Sequence, residues 1–172
     1  MTDLHSFLRP LYQDLDGASR FDDVERIAAI ARRLHVPADD RSFELLLLFH
    51  GLGRWLEKVG NLSRAVLTTG LSEEELRATA ASIRRLNDPS TDAERAVAAA
   101  MLIDGAGVRG LAERLSRSRR EGSSVLDVVR NALADAIEPA WLPENARPWL
   151  TARYEARREM CRRILAELAL ED

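Results

Sequence analysis

Along the 172-residue chain, apolar positions recur every three or four residues, separated by short polar, glycine- or proline-bearing breaks. Leu4, Phe7, Leu8, Leu11 and Tyr12 predict a short first helix, with Pro10 expected to kink it. Val24, Ile27, Ala28, Ile30, Ala31 and Leu34 predict a second, ended by Val36-Pro37. A third spans Arg41 to Phe49 and is apolar on nearly every face from Leu45 onward. Its helix-forming flanks, and the lack of alternating patterns elsewhere, favour a buried central helix over a strand.

Two capping boxes punctuate the middle of the chain. Ser72-Glu73-Glu74-Glu75 opens a helix through Leu76, Ala80 and Ile83, and Thr91-Asp92-Ala93-Glu94 opens an alanine-rich helix through residues 97–103. Residues 62–67, between Gly60 and Gly70, read as a weaker helix. Gly105, Gly107 and Gly110 read as an interruption before a short basic helix at Leu111 and Leu115. Val125, Leu126, Val129, Leu133 and Ile137 mark the next helix, and Pro139, Pro143 and Pro148 a rigid connection around Trp141. Trp149, Leu150, Tyr154, Met160, Cys161, Ile164, Leu165 and Leu168 form one face of a long final helix. The pattern predicts an all-α, single-domain bundle of about eight helices. It places an N-terminal helix in residues 1–18, a core over 20–138 and an amphipathic C-terminal helix over 144–170, packed on that core.

Composition narrows the function classes. With 46% hydrophobic and 31% charged residues, the chain can build a core and is not disordered by composition. A net charge of −3 and only 5% aromatic residues argue against a nucleic-acid partner for the molecule as a whole. The single cysteine, Cys161, excludes an internal disulfide and a cysteine zinc site. No apolar run reaches the length of a membrane span, and Met1-Thr2-Asp3-Leu4-His5 lacks the features of a secretory signal. A cytoplasmic protein without a membrane partner is the expectation. The cations are nearly all arginine, Lys58 being the one lysine; with abundant alanine, this suggests a GC-rich bacterial genome and carries no functional information.

Leu48-Phe49-His50-Gly51-Leu52-Gly53-Arg54 resembles the segment Leu-Leu-His-Asp-Ile-Gly-Lys of the HD superfamily of metal-dependent phosphohydrolases. Neighbouring segments resemble that superfamily in the same order. Phe21-Asp22-Asp23-Val24-Glu25-Arg26-Ile27 is similar to its Asp-His-Val-x-Arg-Val, and Ile83-Arg84-Arg85-Leu86-Asn87-Asp88-Pro89 to its Ile-x-x-His region. Met101-Leu102-Ile103-Asp104-Gly105-Ala106 falls where it writes Ile-Leu-x-Asp-Ala-Asp, and Leu150 through Leu165 resembles its closing helix. The resemblance covers residues 20–172, through helix order and spacing more than identity. It implies an HD-like fold whose helices carry histidine and aspartate ligands to a metal that activates water against a phosphoester.

Position by position, this metal motif is degraded. Asp23 stands where the first histidine is expected, His50 is retained, and Gly51 replaces the defining aspartate. Leu86 or Asn87 stands at a further histidine, Asp104 matches the first aspartate of Asp-Ala-Asp, and Ala106 replaces the second. The resemblance therefore implies a domain that has lost hydrolase activity, needs no cofactor, and serves as a regulatory scaffold for a protein partner or a small phosphorylated ligand. An alternative keeps a rebuilt site of Asp23, His50 and Asp104, holding a divalent ion (Mn, Co, Ni, Fe or Mg) for hydrolysis of a nucleotide or other phosphoester. Otherwise His50 is a buried imidazole bonded to backbone or carboxylate, Asp23 a helix cap, and Asp104 a helix-end or turn residue. Arg54, Arg109 and Arg117 are the candidate phosphate or ligand contacts. A third reading uses the basic run Arg109, Arg114, Arg117, Arg119 and Arg120 to hold a nucleotide or nucleic acid, against the plainer meaning of a solvated helix face. The final helix packs on its own core or pairs two copies as a homodimer.

Overall fold

The computed structural model describes residues 4–13, 21–35, 40–58 and 60–169, and every regular element among them is helical. The elements are α1 (Leu4–Gln13), α2 (Phe21–Leu34), α3 (Arg41–Phe49), α4 (Gly53–Leu56), α5 (Asn61–Thr69), α6 (Glu73–Arg84), α7 (Asp92–Ala106), α8 (Val108–Glu121), α9 (Val125–Ala134) and α10 (Arg147–Leu168). Short 3-10 turns fill His50–Leu52, Arg85–Asn87 and Glu144–Ala146. The chain is all-α, as its periodicity predicts. The expected helix stop at Val36-Pro37, residues 14–18 of the N-terminal segment and residue 170 lie outside the described residues. No helix among the described residues is long and apolar enough to cross a membrane.

The chain divides into two compact units, Met1–Ala100 and Met101–Asp172, with the boundary inside α7. In the first unit, α1 contributes Phe7, Leu8, Leu11 and Tyr12 to an apolar core that also takes Leu45, Leu48 and Phe49 from α3 and Leu76 from α6. Four core positions in α1 explain why the helix runs unbroken through Pro10. Burial of each large apolar side chain is worth about 1.5–3 kcal/mol, enough to offset the hydrogen bond that a proline removes.

Both predicted capping boxes form. Ser72 Oγ accepts from the Glu75 amide at 3.1 Å while Glu75 accepts from the Ser72 amide at 2.7 Å. Thr91 and Glu94 repeat the exchange at 3.2 Å in each direction. Glu94 is 1% exposed and also accepts from Arg85 Nε at 3.0 Å and from the Ser90 amide at 2.9 Å. Burial alone would raise its carboxyl; Arg85 and the serine donors outweigh that and hold it down at about 2.

In the second unit, α8, α9 and α10 pack on one another around Leu111, Val129, Ala132 and Cys161. The glycines here are not an extended break. Gly105 lies in the last turn of α7 and Gly110 inside α8, leaving the break at Gly107. A Cβ at Gly110 would fall 1.8 Å from the Gly105 carbonyl oxygen, so this tight reversal admits only glycine. Helix α9 ends at Ala134, short of Ile137. The Tyr154 hydroxyl then pins that strand of chain, donating to the Ile137 carbonyl at 2.6 Å and accepting from the Ile137 amide at 3.1 Å. Arg157, 1% exposed, donates to the Asp135 carbonyl and lies over the Tyr154 ring. Pro148 belongs to the first turn of α10, where its missing N–H costs nothing, and not to the connection before it.

Candidate functional site

The His50–Gly51 segment is not part of a continuous helix. α3 stops at Phe49, a 3-10 turn carries His50 to Leu52, and α4 resumes at Gly53. Two glycines in four residues weaken the helix here, and side chains take over the backbone groups that the break exposes. His50 Nδ1 sits 2.7 Å from the Leu47 carbonyl. Because a carbonyl only accepts, Nδ1 carries the proton and Nε2 keeps its lone pair. The Tyr12 hydroxyl donates to the Leu48 carbonyl at 2.9 Å and accepts from the Gly51 amide at 3.3 Å. His50 and Tyr12 thus satisfy two carbonyls and one amide at the end of α3.

Tyr12 also explains why residue 51 is glycine. A Cβ at that position would lie 2.8 Å from Tyr12 Cε1 and 3.3 Å from its hydroxyl oxygen. Tyr12 is 1% exposed, held by both hydrogen bonds and by an edge-on contact with Phe21, with ring centroids 6.0 Å apart. The ring has little freedom to withdraw. The Tyr12 ring from α1 fills the space that a side chain at residue 51 would need. Gly53 is confined in the same way, since a Cβ there would meet Ile83 Cγ2 at 2.9 Å. Burial pushes the Tyr12 phenol well above its ordinary range, so it stays neutral.

His50 is 6% exposed, and burial pushes its imidazole below the ordinary histidine value. The Leu47 carbonyl and the negative charge of Asp23 oppose that shift without cancelling it. Asp23 is therefore an electrostatic neighbour of His50 within the first unit. It lies inside the first turn of α2, not at the cap, and its Oδ1 accepts from Arg26 at 3.0 Å. Acidic side chains are favourable at that end of a helix. Asp104 lies half-buried in the last turn of α7 and belongs to the second unit. Among the described residues, no three His, Cys, Asp or Glu side chains group closely enough to hold a metal ion. The donor set therefore does not fit an HD-type centre, which needs several converging nitrogen and oxygen ligands.

The candidate arginines fall in both units. Arg54 is exposed on α4, in the first unit. Arg109 and Arg117 are exposed on α8, in the second, and Arg109 donates to Glu113 at 3.1 Å.

A different concentration of charge lies in the first unit, at residues outside the set expected from the sequence. An open cleft of about 560 Å³ in the first unit is lined by the α4–α5 connection, the start of α5 and one stripe of α6. Lys58, Arg77 and Arg84 face it, with Glu57 and Glu73. Two signals were available in the sequence. Lys58 is the single lysine in an arginine-rich chain, and Glu73, Arg77, Ala80 and Arg84 share the spacing of one helix face. No family model, curated protein or solved structure matches the chain.

Proposed function

We propose that this protein is an HD-like helical scaffold that has given up metal-dependent phosphoester hydrolysis and acts by binding a ligand or a protein partner. The observation that carries this reading is the Tyr12 ring beside Gly51. It stands where the resemblance would require a metal-binding carboxylate, and its hydroxyl is committed to the backbone on both sides. Restoring the aspartate would force out a buried ring and two hydrogen bonds, so the change is not a simple loss of one ligand. His50 has a sufficient structural role in bonding the Leu47 carbonyl at the end of α3.

One observation favours the alternative of a divergent hydrolase. A histidine whose Nδ1–H is anchored on a carbonyl presents Nε2 as metal-bound histidines do, and Asp23 is close enough to act on its charge. Phosphoester turnover separates the two. The purified chain is assayed on nucleoside mono-, di- and triphosphates and on a chromogenic phosphodiester, with Mn²⁺, Co²⁺, Ni²⁺, Fe²⁺ or Mg²⁺ added. The scaffold reading expects no turnover above that of the His50→Ala protein. Metal-dependent turnover that disappears in His50→Ala would overturn it.

A further inference from the structure

We propose that the cleft between the α4–α5 connection and α6 is a binding site for a small phosphorylated organic molecule, with Lys58 as its principal phosphate contact. This rests on the binding role proposed above and gives it a place and a ligand class. The cleft volume, about 560 Å³, lies within the range of small-molecule sites. Glu73, Arg77, Ala80 and Arg84 fall at intervals of four, three and four residues, so a single face of α6 forms one wall. Lys58 and Ser63 line the cleft as well.

The charges have an internal order. Arg77 Nε donates to Glu73 at 2.8 Å, and Arg84 Nε donates to Glu57 at 2.8 Å. Each guanidinium is thereby fixed in direction, and each retains N–H donors beyond those its glutamate takes. Among the described residues, the Lys58 ammonium has no ion-pair partner. Three cations against two carboxylates leave the cleft locally positive, on a chain whose net charge is −3. Helix α5 adds to this: its N-cap, Gly60, supplies no side-chain cap, so the partial positive charge of the helix end is not offset there.

The non-polar part of the ligand has a place as well. Leu56, Leu62 and Ala80 line the same cleft, and Leu56 and Ala80 are nearly fully buried. A free inorganic anion would use only the cations; an organic phosphate would use both. The acids have a use in this arrangement, since Glu57 and Glu73 hold the arginines in place and can accept from ligand hydroxyl or amino groups.

The test is an amide NMR titration of the full chain with adenosine monophosphate as the phosphomonoester probe and adenosine as its uncharged counterpart. The expected result is saturable shifts of residues 58–63 and 77–84 with the monophosphate. Adenosine should give much weaker shifts, and Lys58→Ala should weaken binding about tenfold. Lys58→Arg should restore most of that loss, and the melting temperature of Lys58→Ala should match the parent, because the side chain is exposed. Saturable shifts along α8 instead would retain a binding role for the protein and overturn this site. Equal responses to the monophosphate and adenosine, an unchanged affinity in Lys58→Ala, or no shifts at millimolar probe would also overturn it.

Discussion

The turn at His50–Gly51 and the cleft at Lys58 lie in the same unit and are built on opposite principles. The turn is closed: a buried imidazole, a buried phenol and a glycine with no room for a side chain, with His50 Nδ1 and the Tyr12 hydroxyl given to backbone. The cleft is open and charged, with two ion pairs and an ammonium facing solvent. Sequence resemblance draws attention to the first, and the proposed binding role to the second.

The sharpest way to break this contrast is to place a carboxylate at residue 51. Gly51→Asp is expected to destabilise the protein by about 3 kcal/mol, because it overpacks against the buried Tyr12 ring and displaces its two hydroxyl bonds. Tyr12→Phe, which keeps the ring and removes both hydroxyl bonds, is expected to lose about 1–2 kcal/mol. Urea denaturation of the three proteins measures both. A Gly51→Asp protein as stable as the parent would mean that the turn has room for a ligand side chain after all.

A smaller effect is expected from pH. Because the folded protein holds His50 below its ordinary value, the unfolded chain takes up the proton first as the medium is acidified. The stability contributed by keeping this imidazole neutral is therefore complete above about pH 6.5 and is lost as pH falls through the lower folded value. In a His50→Gln protein that share of the acid destabilisation should vanish, and the His50 ring in the parent should titrate by NMR below the ordinary histidine value. A His50 titrating above the ordinary value would show that Asp23 dominates its surroundings, as an active acid–base pair would require.

The smallest effect is expected at the cleft. Arg84→Ala removes an exposed pair with Glu57, and exposed pairs contribute about 0–1 kcal/mol. Thermal unfolding should barely change, in contrast to every substitution at the turn. A large loss would make the Arg84–Glu57 pair a structural clamp instead of part of a binding surface.

The parts of this molecule that were legible in the sequence are those written locally. Periodicity gave the all-α class, and two reciprocal Ser/Thr–Glu pairs marked the starts of α6 and α7, where the same bonds form. Elements written in long-range packing were not legible. Gly110 stands inside α8 because α7 ends against it, a proximity that no helical pattern encodes. Tyr12 could be placed on an apolar face but not opposite Gly51, 39 residues away. The cleft was hidden for the same reason: Arg84 and Glu57 are 27 residues apart, and only folding brings them to one rim.

The central claim is that the His50–Gly51 turn is a packed structural junction and not a metal centre. Elemental analysis of the untagged protein, purified without chelators, tests it most directly. The account predicts transition-metal content far below one ion per chain, unchanged in the His50→Ala protein. About one Mn, Fe, Co or Ni ion per chain, lost on His50→Ala, would contradict it.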